Sequence, residues 1–355
     1  MNHLIQKFAY ALLTLFGVVS VVFFLFTILP GDPAQMILGQ NETQEQREII
    51  NNKYGFNLPL HQQYLLYLND LSPISLHSNH PQNYTYVHHP KYQLAQVLDF
   101  GNQTLALKLP YLRESFQRDG KTVNKIISET LPNTIVLAFS SICLAMFLGV
   151  ILGVFSALYK GKILDQLLQV LATLGMSLPS FFSAVLFAWF FAYVLGNYTG
   201  LNMTGSLYEL DDFGENYSIQ LKNLILPAVV LGIRPLAVVI QLMRNSLLET
   251  LQQDYIRTAK AKGLSNFKII YSHALKNSLN PVITAISGWF ASLLAGAVFV
   301  EYIFGWNGLG KEIVDALNLL DMPVIMGAVI VIAAMFILIN IFVDIVYSKL
   351  DPKVD

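Results

Sequence analysis

The chain alternates between long apolar runs and polar segments. Six runs are long enough for a helix to cross a bilayer, which takes about 20 residues. They cover residues 8–29, 134–159, 166–196, 224–243, 281–300 and 323–343. The first two carry no charge. The third is longer than a span requires and holds Pro179, so a tilt or kink is expected. The fourth is interrupted only by Arg234 and Pro235. The first run is too long for a cleaved leader and is followed by no small-residue cleavage site, so it reads as a retained anchor. The pattern predicts an all-α integral membrane protein of six transmembrane helices, with a large loop domain between the first and second.

The partition follows from the runs. Residues 1–29 hold the N-terminus and first helix, 30–133 the loop domain, 134–347 a five-helix core, and 348–355 a short tail. In the loop domain "LPGDP" ends the first helix through Pro30, Gly31 and Pro33, and residues 42–56 and 61–72 read as amphipathic helices. Residues 73–93 are polar and turn-rich and read as an exposed loop. A smaller loop, 197–222, carries Glu209, Asp211, Asp212 and Glu215.

Composition agrees with the membrane reading. Of 355 residues 54% are hydrophobic and 13% charged, against about a quarter charged in soluble domains. The net charge of −1 gives no general bias toward nucleic acid. The lone Cys143 excludes a disulfide framework or a cysteine metal site within one chain. With the N-terminus inside, cytoplasmic segments hold eleven Lys and Arg: Lys7, Lys160, Lys162, Arg244, Arg257, Lys260, Lys262, Lys268, Lys276, Lys349 and Lys353. The two short outer loops hold Lys222 and Lys311 only. The positive-inside rule therefore puts both termini in the cytoplasm.

"FGWNGLGKE", residues 304–312, fits the G-x-x-x-x-G-K frame of a phosphate-binding loop through Gly305, Gly310 and Lys311. Glu312 stands where the magnesium-binding Ser or Thr belongs, and the segment falls on the outer side, away from ATP. The nucleotide reading fails on both counts.

The inner loop 244–280 is the most informative. "SLLETLQQDYIRTAKAK" reads as one helix, with Lys260 and Lys262 in the last turn where cations suit its dipole. Gly263 fits the left-handed position after a helix end, and Ser265 an N-cap for a second helix running toward Asn280. Ala259 and Gly263, four apart, leave a shallow place for close approach by another protein. A basic loop lying on anionic lipid is the alternative.

"DYIRTAKAKGLSNFKIIYSHALKNSLNP" resembles the inner-loop signature of binding-protein-dependent ABC importer permeases, in particular the dipeptide, oligopeptide and nickel branch. "LPGDP", "YGFNLPLHQQYLLYL", "ETLPNTIVLA", "MSLPSFF", "LILPAVVLG", "LLAGAVFVEYIFGWNGLGKEIVDAL", "DMPVIMGAVIV" and "LDPKV" agree, in order, over nearly the whole chain. Asn307 stands where relatives often have Pro, Gln241 where they often have a basic residue, and the segment 73–95 is longer than usual. The resemblance implies the type I ABC importer permease fold in a bacterial inner membrane. It implies a permease half importing di- or oligopeptides, with nickel or another small solute as the alternative. It implies a second homologous permease, two cytoplasmic ABC ATPases that hold ATP and Mg, and a periplasmic or lipid-anchored binding protein. This chain itself would be no enzyme, bind no cofactor or metal, and touch lipid but no nucleic acid. By resemblance Arg257, Thr258, Ala259, Lys260, Ala261 and Gly263 form the surface that meets the ATPases.

Arg234 and Gln241 are candidate residues of the translocation path. A charge at mid-span requires a partner or a wet cavity. Arg234 would meet a peptide carboxylate, or a carboxylate on the other permease. Glu301 and Asp344 read as charges marking helix ends. Gly149 and Gly153 form a G-x-x-x-G pair for helix packing. His77, His80, His88 and His89 invite a metal reading, but their Pro- and Asn-rich stretch reads as a solvated loop. An intramembrane enzyme would need paired catalytic groups in the spans, and a secondary transporter coupling carboxylates there; the sequence places neither.

Overall fold

The computed structural model describes residues 2–28, 33–38, 43–81, 83–89, 91–92, 94–210 and 216–350. Pro30, Gly31, Asp211, Asp212, Glu215 and most of the "LDPKV" tail lie outside them. In chain order the elements are α1 (Asn2–Ile28), α2 (Pro33–Leu38), α3 (Gln44–Tyr54), α4 (Leu60–Leu71), β1 (Ile74–Ser78), β2 (Leu94–Asp99), β3 (Gln103–Lys108), α5 (Val123–Leu158), α6 (Ile163–Ser177), α7 (Ser180–Phe187), a π-helical continuation to Val194, α8 (Gly196–Thr199), β4 (Tyr208–Leu210) and β5 (Tyr217–Ile219). They continue with α9 (Leu221–Thr250), α10 (Asp254–Ala261), α11 (Asn266–Lys268), a π-helical stretch Ile269–Ala274, α12 (Leu275–Ser278), α13 (Asn280–Gly296), α14 (Val298–Phe304), α15 (Leu309–Leu319) and α16 (Met322–Leu350). Among the described residues four helices are long and apolar enough to cross a membrane: Gln6–Thr27, Val123–Leu158, Leu221–Thr250 and Met322–Ile345. Two bent pairs, Ile163–Ser177 with Ser180–Val194 and Asn266–Ser278 with Asn280–Gly296, raise this to six if each is one span.

The chain divides into two compact units. The first is Met1–Glu129 with Ile313–Ala333. Helices α3 and α4 form where amphipathic stretches were expected. A capping box between Thr43 and Gln46 opens α3, and Gly55 closes it in the left-handed conformation at φ 73°. The all-α expectation is corrected here: β1, β3 and β2 form an antiparallel sheet in that order. Its buried side is mostly polar, with Ser75, His77, Thr104 and Lys108 beside Ala106, while Ile74, Leu76 and Leu107 face outward. Asp70 anchors that side, accepting hydrogen bonds from Tyr92 Oη at 2.9 Å and Tyr84 Oη at 3.0 Å, with Arg113 Nε at 3.3 Å. His77 is therefore no solvated loop residue. It is buried, with Nε2 2.9 Å from Ser75 Oγ and Nδ1 3.1 Å from the Thr85 carbonyl. One ring nitrogen is spent within β1 and the other on the segment that follows it.

The second unit is Thr130–Glu312 with Ala334–Asp355. Within it α9 packs extensively against α6 and closely against α5. An added Cβ at Gly149 would meet Val239 Cγ1 at 2.6 Å, and one at Gly153 would meet Met243 Cβ at 2.6 Å. The G-x-x-x-G pair thus serves a contact within the chain. Helix α9 runs unbroken through Pro227 and Pro235. The expected kink at Pro179 is instead a break of 111° between α6 and α7. The cause is local: a residue preceding proline is driven out of the helical region, and Leu178 is extended at ψ 133°.

Candidate coupling surface and translocation cleft

Caps delimit the helices of the inner loop. The single helix expected over 246–262 is two. Helix α9 ends at Thr250, and α10 restarts at Asp254 after an extended Gln253. It ends in a Schellman motif: the Leu264 N–H bonds the Ala259 carbonyl at 3.3 Å and the Gly263 N–H bonds the Lys260 carbonyl at 2.9 Å. The motif requires Gly263 at φ 74°, yet nothing lies within 4 Å of where its Cβ would be. Glycine is needed for its backbone, not for space. Ser265 then caps α11 by accepting from the Lys268 N–H at 3.4 Å.

Ile256 and Ala259 are buried and pack with Val239, Met243, Leu247, Ile269, Ala274 and Val282. Ala259 is therefore an inward anchor that holds α10 on the body. The opposite side exposes Arg257, Thr258, Lys260, Ala261, Lys262 and Gly263. Two aromatic residues that the sequence reading passed over extend it. Phe267 and Tyr271 are 79% and 68% exposed and stack in parallel with centroids 6.0 Å apart. Their i, i+4 spacing in a basic segment was the available signal.

A second missed feature fixes the end of α9. Arg244 makes a bidentate pair with Asp165, Nε to Oδ1 at 2.7 Å and Nη2 to Oδ2 at 2.8 Å. Ser156 Oγ donates to Asp165 at 2.6 Å and the Gly161 N–H at 2.8 Å, so every oxygen lone pair of consequence is used. The pair ties the α5–α6 turn to α9.

Arg234 borders a cleft of about 70 Å³ at the α6–α7 break, lined by Gly175, Leu178, Ser180, Ser183, Trp289 and Ser292 among others. Gln241, seven residues further along α9, is half-buried.

Glu301 is not a charge marking a helix end. It is fully buried, beyond the end of α13. Its Oε2 accepts from the backbone N–H groups of Gly310 at 2.7 Å and Lys311 at 3.1 Å, in the first turn of α15. Thr134 Oγ1 accepts from the next donor, the Leu309 N–H, at 2.8 Å. Burial pushes the Glu301 carboxyl up to about 7, against partial relief from Thr134 and these N–H groups. Trp306 Nε1 donates to the Asn133 carbonyl at 3.0 Å and pins the intervening loop. Asp344 is exposed.

The family of "binding-protein-dependent transport system inner membrane component" matches residues 149–355, and its N-terminal companion matches residues 1–79. The chain is 33% identical over 354 residues to the dipeptide transport system permease protein DppB of Alkalihalophilus pseudofirmus, covering 96% of this chain and 95% of that one. It is 31% identical to the dipeptide transport system permease protein DppB of Bacillus subtilis, with 99% and 97% coverage. It is 30% identical to the Escherichia coli K12 protein of the same name, with 100% and 98% coverage. A solved structure of the MetNI methionine ABC transporter in an inward-facing conformation shares the fold at TM-score 0.50 and 17% identity, over 64% of this chain and 96% of that one. The chain belongs to the family of inner-membrane components of binding-protein-dependent transport systems.

Proposed function

We propose that this chain is the permease half of an ATP-driven importer of di- and oligopeptides. The observation that carries the mechanism is α10. It is clamped to the body by Ile256 and Ala259, ended by Gly263, and presents a basic and aromatic outer side. Two cytoplasmic ATPases push on Arg257, Thr258, Lys260, Ala261 and Gly263, with Phe267 and Tyr271 as apolar anchors. Ala259 transmits the push inward through the cluster around Met243 and Val282. The Asp165–Arg244 pair keeps the end of α9 from yielding to it.

A second, homologous permease completes the pathway, with Arg234 and Gln241 along this half. A binding protein delivers peptide from outside, and both termini are cytoplasmic, which fits the distribution of Lys and Arg. The peptide assignment rests on relatives named as dipeptide permeases over nearly their full length.

The test is uptake in cells lacking the chain, with labelled di- and oligopeptides beside nickel. Lost peptide uptake, restored by the intact chain, supports the proposal. Lost nickel uptake with normal peptide uptake defeats it.

A further inference from the structure

Three independent features of the cleft at the α6–α7 break favour an anion. Arg234 lines it and makes no hydrogen bond or ion pair with any described residue of the chain. A cation inside a span persists only where a partner or water meets it. The cleft also receives the start of α7. Pro179 caps that helix without a side-chain bond, so its first-turn N–H groups find no cap. Broken transmembrane helices with such free N-termini are suited to anionic substrate groups. Finally, Ser183 is 3% exposed, lines the cleft, and its hydroxyl bonds no described residue.

Size decides how much of a ligand enters. The cleft holds about 70 Å³, far below the roughly 300–1,000 Å³ of pockets that engulf drug-sized ligands. It has room for one end group and no more. Trp289 and Leu293 supply its apolar wall.

We propose that this cleft is a carboxylate receptor, and that it takes the C-terminal carboxylate of the translocating peptide through Arg234, the first turn of α7 and Ser183. The inference rests on the peptide-importer reading and adds a rule to it: the permease itself, apart from the binding protein, reads the free C-terminus. The other source of a carboxylate is a side chain of the companion permease, and the test separates the two.

The complete transporter is reconstituted in proteoliposomes with its binding protein. Uptake of labelled dialanine and of its C-terminal amide is measured, each normalised to the binding protein's occupancy by that peptide. The wild type favours the carboxylate by roughly tenfold, the worth of one charge-assisted bond. Arg234→Gln removes the preference, Arg234→Lys keeps part of it, and Ser183→Ala weakens it. Equal loss of both peptides in Arg234→Gln, or a wild type indifferent to the amide, overturns the receptor. Equal loss together with poorer co-purification of the second permease assigns the carboxylate to that partner. If the wild type takes up neither peptide, the peptide reading itself fails and the receptor with it.

Discussion

Glu301 Oε2 accepts a hydrogen bond from the Gly310 N–H at 2.7 Å, so a segment that reads like a phosphate loop cradles the protein's own carboxylate. The glycines are there for that approach. A Cβ on Gly308 would collide with the Glu301 carboxyl, and one on Gly310 would lie 2.6 Å from Val298 Cα. Gly310→Ala and Gly308→Ala are expected to destabilise the purified permease by about 1–3 kcal/mol each, the usual cost of overpacking. Gly288→Ala, in open space on α13, is the neutral control. Thermal denaturation of the three variants checks this; equal midpoints for Gly310→Ala and Gly288→Ala would contradict it.

The same carboxyl sets a pH dependence. Its folded value of about 7 lies above the ordinary 4.5. Between those values the folded chain holds a proton the unfolded chain has lost, so stability falls as pH rises. The contribution is full below about 4.5, fades as pH rises through 7, and amounts to about 3 kcal/mol at most. Glu301→Gln, neutral at every pH, is expected to flatten the decline in denaturation midpoint between pH 5 and pH 8 that the wild type shows, on the same ~3 kcal/mol scale. Parallel profiles for the two proteins would refute the assignment.

Four spans were legible as long helices because apolar runs of that length leave little choice in a bilayer. The sheet was not. Its buried face carries Ser75, His77, Thr104 and Lys108 while Ile74 and Leu76 point outward, so the usual alternation signal is inverted. Glu301 was misjudged because its partners are backbone N–H groups, which carry no residue signature. At Pro179 a kink and a break look alike in sequence; the extended Leu178 decides between them. Gly263 was legible because only its backbone conformation matters, and that leaves a mark in the sequence.

The Asp165–Arg244 pair is shielded, with side chains 4% and 20% exposed. Removing one partner of a buried pair costs roughly 3–5 kcal/mol, because the other charge is left behind. Asp165→Asn and Arg244→Leu are each expected to approach the lower end of that range, since Arg244 retains some solvent. The double variant should be milder than the sum. A double-mutant cycle on denaturation midpoints measures the coupling, and additive single effects would show that the pair is not a unit.

Gly263 separates backbone need from surface chemistry. Gly263→Asn keeps a residue that tolerates the left-handed conformation, and transport is expected to stay close to wild type. Gly263→Glu adds backbone strain of about 1–2 kcal/mol and sets a carboxylate among Arg257, Lys260 and Lys262. The loop is exposed here and open on the Cβ side, so insertion and pairing with the second permease should survive. What should fail is contact with the ATPases: co-purification falls and peptide uptake is lost while the permease remains in the membrane. Phe267→Ala, which removes an exposed anchor without touching the backbone, should weaken ATPase association in the same direction. Gly263→Glu with unchanged ATPase association and uptake would place the coupling surface elsewhere. Loss of insertion in that variant would instead show that the Schellman motif is required for folding of the inner loop, a result Gly263→Asn would then reproduce in weaker form.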